Sequence, residues 1–175
     1  MMIREATNND LNRIVEITNA CGKHMISQNI FQWNEEYPNL EVFKKDLENQ
    51  SLYVIELESK IVGCVCISEK MDAVYKEVKW LTPDSKNMYV HRLAIDPKFQ
   101  GKGLAIKLMS YAEDLAKTKD FKSMRLDTFS KNPKNNKFYN LQGYKKLGKI
   151  FYRSQSDMPF HCYEKIIWFI NLLLY

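Results

Sequence analysis

Two glycines set two residues apart, Gly101 and Gly103, interrupt the chain between the apolar run LAI at 93–95 and a long amphipathic segment that starts at Leu104. Neither a strand nor a helix tolerates such a pair in its interior, so the residues between must form a loop. Beyond the loop, Leu104, Leu108, Tyr111, Ala112 and Leu115 recur with the period of one helical face. Before it, NMYVHRLAID is rich in β-branched and aromatic residues and stops at Pro97, as a strand would. A strand that feeds a helix through a tight loop is the unit of an α/β sheet, and this constrains the fold class more than any other stretch.

The remaining segments extend that pattern. MIREAT reads as a first strand, and Leu11, Ile14, Val15 and Thr18 mark a helix behind Asn and Asp caps. A second helix is expected from Asn39 to Asn49 after the break at Pro38, and an irregular aromatic loop, ISQNIFQWNEEYP, lies between the two. SLYVIELES and KIVGCVCISE form an antiparallel hairpin turning at Glu58, Ser59 and Lys60. SMRLDTF is a strand. The following helix is framed by Asn132 as N-cap, Pro133 at its first position and Gly143 past its end. YKKLGKIFY and FHCYEKIIWF are late strands, completing the order β α α β β β α β α β β. The expected fold is α/β, a central mixed and mostly antiparallel sheet of about seven strands with helices on both faces, in one domain covering residues 1–175.

Composition removes other classes. With 45% hydrophobic and 27% charged residues, six Gly and five Pro, the chain is neither disordered nor low-complexity. Its net charge of +5 favours an anionic partner, but basic and acidic residues are intermixed, so no nucleic-acid partner is expected. The N-terminal MMIREATNNDLNRIVEI has early charges of both signs and no apolar core of a leader, which points to a cytoplasmic protein. Cys21, Cys64, Cys66 and Cys162 lack the spacing of a zinc site or a disulfide framework; they read as buried thiols, and no metal is expected.

A strand-loop-helix junction gathers unpaired backbone N–H groups at the positive end of the helix dipole, where phosphate is attracted. Gly101 and Gly103 permit unusual backbone angles and clear side chains from the amides, while Lys98 and Lys102 add charge. The dinucleotide fingerprint would need Gly at position 106, which is Ile106, and a P-loop is absent.

A second motif, NPKNNKFYNLQGY, contributes Asn132, Tyr139, Gly143 and Tyr144 after the next strand. Together the two segments resemble the GNAT superfamily of acetyl-CoA-dependent N-acetyltransferases. The loop pattern of that family, Gln/Arg-x-x-Gly-x-Gly/Ala, is matched by KFQGKG with Lys98 in the place of Gln or Arg. The later pattern is matched with Asn135 where Ala is common. The resemblance implies a sheet splayed between its fourth and fifth strands, with pantetheine lying in the gap. The backbone of Leu93, Ala94 and Ile95 would then bind the pantetheine arm. The amides of Gln100, Gly101, Gly103, Leu104 and Ala105 would take the pyrophosphate beside Lys98 and Lys102. Asn132 would hold the arm from the other side, next to Asn135.

The reaction implied is direct attack of a primary amine of a small molecule or peptide on the thioester of acetyl-CoA. The departing thiolate gains from a proton donor, and the resemblance puts Tyr139 there as general acid. An alkylamine must first lose a proton, and His91, two residues before Leu93 and expected on the same strand face, is the candidate base. Glu35, Glu36 and Asp127 are other carboxylate candidates. Trp33 and Tyr37 are expected to wall the acceptor pocket, with Tyr75 and Trp80 flanking the same cleft. A non-catalytic acyl-CoA-binding or sensing module on the same fold is the alternative reading. The final IIWFINLLLY, too short to span a bilayer, is expected to extend the last strand or to form the interface of a homodimer.

Overall fold

The computed structural model describes residues 1–34, 36–153 and 155–167. The hairpin expected from sequence is β2 (Leu52–Leu57) and β3 (Lys60–Ser68), and both of its turn residues have positive φ, 49° at Glu58 and 63° at Ser59. A turn of that hand matches the twist of the strands it joins. β1 (Met2–Glu5) lies along β2, and β4 (Asn87–Ile95) runs antiparallel to β3. β5 (Ser123–Phe129) is parallel to β4, and β6 (Lys145–Ile150) and β7 (Phe160–Ile166) complete a seven-stranded sheet in the order β1-β2-β3-β4-β5-β7-β6. The helices are α1 (Leu11–Ile26), α2 (Leu40–Glu48), α3 (Leu104–Thr118) and α4 (Pro133–Leu141).

Alternation along the strands divides the core between two faces. On one face Val65, Val90 and Leu126 pack with Leu108, Met109 and Ala112 of α3 and with Tyr139 of α4. On the other, Val54, Cys64 and Ala94 pack with Ile14 and Ile17 of α1 and Phe43 of α2. This second face continues over β5 and β7 as Tyr75, Tyr89, Phe129, Phe160 and Cys162. All four cysteines are buried free thiols, as expected. Among the described residues no helix is long and apolar enough to cross a membrane.

The seam between β4 and β5 is paired at one end only. Its rungs run from Asn87–Ser123 to Val90–Leu126, after which β4 continues to Ile95 and β5 to Phe129 without pairing to each other. The cause lies one strand away. Cys66 pairs with His91 but Cys64 with Ala94, so Arg92 and Leu93 together oppose Val65: a β-bulge. Arg92 takes φ of 51°, left-handed backbone that costs a non-glycine residue about 1–2 kcal/mol. Its guanidinium is held in compensation, donating to both carboxylate oxygens of Asp46 on α2 (2.7 and 2.6 Å) and to Tyr37 Oη (3.0 Å).

The bulge corrects one expectation. An extra residue resets the alternation of side chains, so His91 and Leu93 face opposite sides of the sheet rather than the same one. Leu93 and Ile95 join the α3 face, whereas the His91 ring stacks on Tyr75, centroids 6.2 Å apart.

The paired end of the seam is sealed by a buried ionic network. Arg125, with no exposed side-chain surface, reaches Glu164 Oε1 (3.1 Å), Asp84 Oδ1 (2.6 Å) and the Thr82 carbonyl (2.5 Å). Trp80 covers its guanidinium, 4.6 Å from the ring centre. Trp80 therefore closes this network instead of flanking a cleft with Trp33. Of the apolar tail, Ile166 ends β7 and Ile167 is buried; residues 168–175, on which the strand-extension and interface readings turn, lie outside the described residues.

Candidate active site

At the open end of the seam a cavity of about 370 Å³ lies between β4, the glycine loop, the end of α1 and α4. Its walls include Leu93, Ala94 and Ile95, then Gln100, Gly101, Gly103, Leu104 and Ala105, and opposite them Asn132, Asn135 and Tyr139. The two motifs, some thirty residues apart in the chain, thus meet across one hollow.

Gly101 and Gly103 have φ of 78° and 75°, and an added Cβ at either would meet no protein atom within 4 Å. The conformation, not crowding by the protein, accounts for the glycines. Gly103 caps α3 without any side-chain hydrogen bond, so the first amides of that helix carry no side-chain cap. On β4 the Asp96 amide bonds back to Val62 of β3. By antiparallel alternation, Leu93 and Ile95 turn their backbone groups toward the side that β5 has left. These features suit a long anionic ligand with an amide-bearing arm: a nest for phosphates at one end and, along the gap, a strand edge that β5 does not pair, although the Ile95 carbonyl already accepts from Cys21 Sγ (3.1 Å) and Gln100 Nε2 (3.0 Å).

The polar side chains are placed less simply than the sequence suggests. Asn132 Oδ1 accepts from the Asn135 amide, capping α4, while its Nδ2 donates to Gln32 Oε1 at 2.9 Å. The residue lines the cavity with both ends engaged. Asn135 Nδ2 reaches Thr128 Oγ1 at 3.3 Å. Lys98 and Lys102 are exposed and absent from the walls, Lys102 lying over the Phe99 ring. The lysine that does line the cavity is Lys134 on α4, which donates to Gln100 Oε1 at 2.9 Å. Its position in the exposed first turn of α4, two residues after Asn132, was the available sequence signal.

Tyr139 is buried, and its hydroxyl makes no hydrogen bond among the described residues. Burial first, and then the negative charge of Asp127, push that hydroxyl above the usual phenol range, so it holds its proton. Trp33 also lines the cavity; Tyr37 does not, being bonded to Arg92. His91 is outside as well, and burial lowers its pKa to about 4 against the opposing pull of Asp72, whose Oδ2 is 4.0 Å away. Glu36 is exposed, with no side-chain bond among the described residues, and Glu35 lies outside them. Asp127 is likewise absent from the cavity walls; it sits beside the opening of the seam, on the face of β5 turned away from α3, where Tyr75 Oη donates to its Oδ2 at 2.6 Å.

Comparison with known proteins agrees with this geometry. Residues 12–144 match the model of the acetyltransferase (GNAT) family. The chain belongs to the GNAT acetyltransferase family. A structure of a GNAT family acetyltransferase from Streptococcus agalactiae superposes with TM-score 0.77 at 26% identity, covering 94% of each chain. A GNAT family acetyltransferase from Listeria monocytogenes shares the fold, with TM-score 0.75 at 20% identity and 94% of each chain covered. Among curated proteins the chain is 24% identical over 113 residues to the S-alkylcysteine N-acetyltransferase of Bacillus subtilis. That match covers 65% of this chain and only 59% of the relative. GNAT membership accounts for the splayed sheet and for the meeting of the two motifs at one cavity.

Proposed function

We propose that this GNAT protein transfers the acetyl group of acetyl-CoA to the primary amine of a small molecule or peptide, with Tyr139 as general acid. Acetyl-CoA supplies an activated acyl group and a thiolate leaving group; the work of the chain is to hold it, admit the amine and manage two protons. The Gly101–Gly103 loop and the uncapped amides of α3 suit the pyrophosphate, with Lys134 adding positive charge across the cavity. The backbone of Leu93 and the amide of Ile95 offer partners for the pantetheine arm, the Ile95 carbonyl being held by Cys21 and Gln100.

One observation carries the reading: the protonated, unbonded hydroxyl of Tyr139 lies on the wall of the same cavity as the phosphate nest. A phenol that keeps its proton can give it to a departing thiolate. On the acceptor side, Trp33 offers an apolar wall, and the resemblance to an S-alkylcysteine N-acetyltransferase favours a small amino acid with an apolar side chain.

The test is acetyl-CoA calorimetry followed by turnover of S-methyl-L-cysteine, other amino acids, polyamines and aminoglycosides, read as release of free CoA. Tyr139→Phe should bind acetyl-CoA within threefold of wild type and lose about 10²-fold or more in kcat. Tight binding with no turnover of any amine by the wild-type chain would leave a non-catalytic acyl-CoA sensor as the function.

A further inference from the structure

The acetyl-transfer reading leaves the acceptor's proton without a destination, and the seam supplies one. Val90 and Leu126 form the last β4–β5 rung and both face α3. The next residue on each strand, His91 on β4 and Asp127 on β5, therefore turns to the other face and flanks the point where the strands part. Tyr139 approaches the same gap from the α3 face, and its hydroxyl is within reach of the Asp127 charge. An acid on one side of the gap and a carboxylate on the other is the arrangement that an acyl group lying between them requires.

The bonding at Asp127 leaves half of it open. Tyr75 Oη (2.6 Å) and Tyr152 Oη (3.2 Å) both donate to Oδ2, and Oδ1 makes no hydrogen bond among the described residues. The carboxylate is oriented by its tyrosines through one oxygen while the other is available. We propose that Asp127 is the general base of the transfer, receiving the proton of the acceptor's ammonium on the face opposite α3.

The ammonium gives one proton to Asp127, and the freed nitrogen lone pair forms the C–N bond as the C–S bond breaks. The sulfur leaves with its electron pair and takes the Tyr139 proton. The second proton lost by nitrogen restores Tyr139, and Asp127 returns its proton to water. Tyr152 Oη lies 3.2 Å from Oδ2 of Asp127 and 3.2 Å from Oδ2 of the exposed Asp72, so its one hydrogen can turn to either carboxylate and links Asp127 to the surface.

The groups around Asp127 suit a base. Burial pushes its carboxyl up to about 6, partly opposed by the Tyr75 and Tyr152 hydrogen bonds; the Asp72 charge adds to the rise and the Arg92 charge opposes it. Cys162 of β7, Tyr139 of α4 and Tyr37 of the α1–α2 loop also stand within range of its charge and remain neutral. His91, held near 4 by burial, is the weaker proton acceptor of the two residues that flank the gap.

The proposal rests on the acetyl-transfer reading, and the experiment separates the two. Wild type, Asp127→Asn and His91→Gln are compared with S-methyl-L-cysteine and the amine panel at saturating acetyl-CoA from pH 5 to 8. Acetyl-CoA affinity is measured by calorimetry and melting temperature by circular dichroism. Asn keeps an oxygen for the two tyrosines, so the fold should be retained, which the melting temperature checks. Asp127→Asn should lose about 10²–10⁴-fold in kcat/KM with acetyl-CoA affinity within threefold. Wild-type kcat/KM should rise with pH through about 6, the limb that Asp127→Asn lacks.

A raised folded-state pKa means that the folded chain binds a proton between pH 4 and 6 that the unfolded chain does not. The melting temperature of wild type should therefore gain on that of Asp127→Asn as pH is lowered from 7 to 5. Activity of Asp127→Asn within fivefold of an active wild type overturns the assignment. So does an acid limb lost in His91→Gln and kept in Asp127→Asn. A wild type that binds acetyl-CoA but acetylates no amine overturns the acetyl-transfer reading, and the base assignment with it.

Discussion

Glu164 and Asp127 are carboxylates on adjacent strands, one at each end of the β4–β5 seam, and their surroundings treat them in opposite ways. Burial alone would push both upward. At the paired end, Ser123 and Thr82 (2.6 Å each), the Leu81 amide and Arg125 outweigh it and hold Glu164 below the usual carboxylate range. At the open end, two tyrosine hydroxyls are not enough, and Asp127 rises. A buried carboxylate supplied with an arginine and three other donors stays charged and fixes structure; one left with two phenols and a free oxygen can exchange a proton. On the proposed assignment, the neighbouring strands β7 and β5 carry a structural carboxylate near the closed end of the seam and a chemical one near its open end.

The largest effect should come from breaking the closed end. Arg125→Met strands Glu164 as a buried, unbalanced charge, which costs about 3–5 kcal/mol. Urea unfolding should show that loss, and adding Glu164→Gln should recover part of it. If Arg125→Met unfolds at the wild-type urea concentration, the network is not what seals this end.

An intermediate effect is expected where the two functions meet, at the bulge. Asp46→Asn removes the charge that holds Arg92 in its left-handed conformation, for a loss of about 1–3 kcal/mol, since hydrogen bonds between charged groups are the stronger kind. kcat/KM should also fall, by about tenfold, because Leu93 and Ile95 depend on the bulge for their orientation. Loss of stability with unchanged kcat/KM would show that the strands part without the Arg92–Asp46 contact.

The smallest change in stability belongs to the open end. Gly103→Ala carries the backbone cost of positive φ, about 1 kcal/mol, with no clash inside the protein. If the nest holds the pyrophosphate as proposed, the added methyl group crowds it, and acetyl-CoA affinity should weaken about tenfold by calorimetry. Equal affinity would mean that the nest is not the pyrophosphate site.

The order of elements was readable because several boundaries carry a residue with a local reason to be there: Asn39 and Asn132 capping helices, Pro133 at a first turn, Gly103 at positive φ; at α1 the expected cap Asp10 instead binds Arg4. Two of the cavity walls followed from motifs whose spacing is local, whereas the wall formed by His24, Met25 and Gln28 at the end of α1, with Gln32, belongs to neither motif. The bulge was not readable, since Arg92 is not a residue that advertises left-handed backbone, and the Asp46 that holds it lies on another element. The strand faces on either side of Arg92 follow the alternating pattern, and only the step across it fails. Asp127 was visible as a carboxylate, but its environment depends on Tyr75 and Tyr152, which no periodicity connects to it. Lys98 and Lys102 were drawn to the site by proximity in sequence, whereas Lys134 reaches it through the fold.

Four rungs, from Asn87 to Val90, are the whole of the backbone pairing between β4 and β5. Mechanically the seam is a clothes peg: the sprung end is the Arg125 network, and the jaws are the diverging ends of the two strands. Widening at the jaws would be a rotation about those rungs, resisted also by β3 along β4 and β7 along β5, so stiffness at the end the ligand never touches is expected to limit how far the mouth opens. Slow amide exchange at Val90 and Leu126, beside faster exchange at Leu93 and Ile95, would be the signature of that lever.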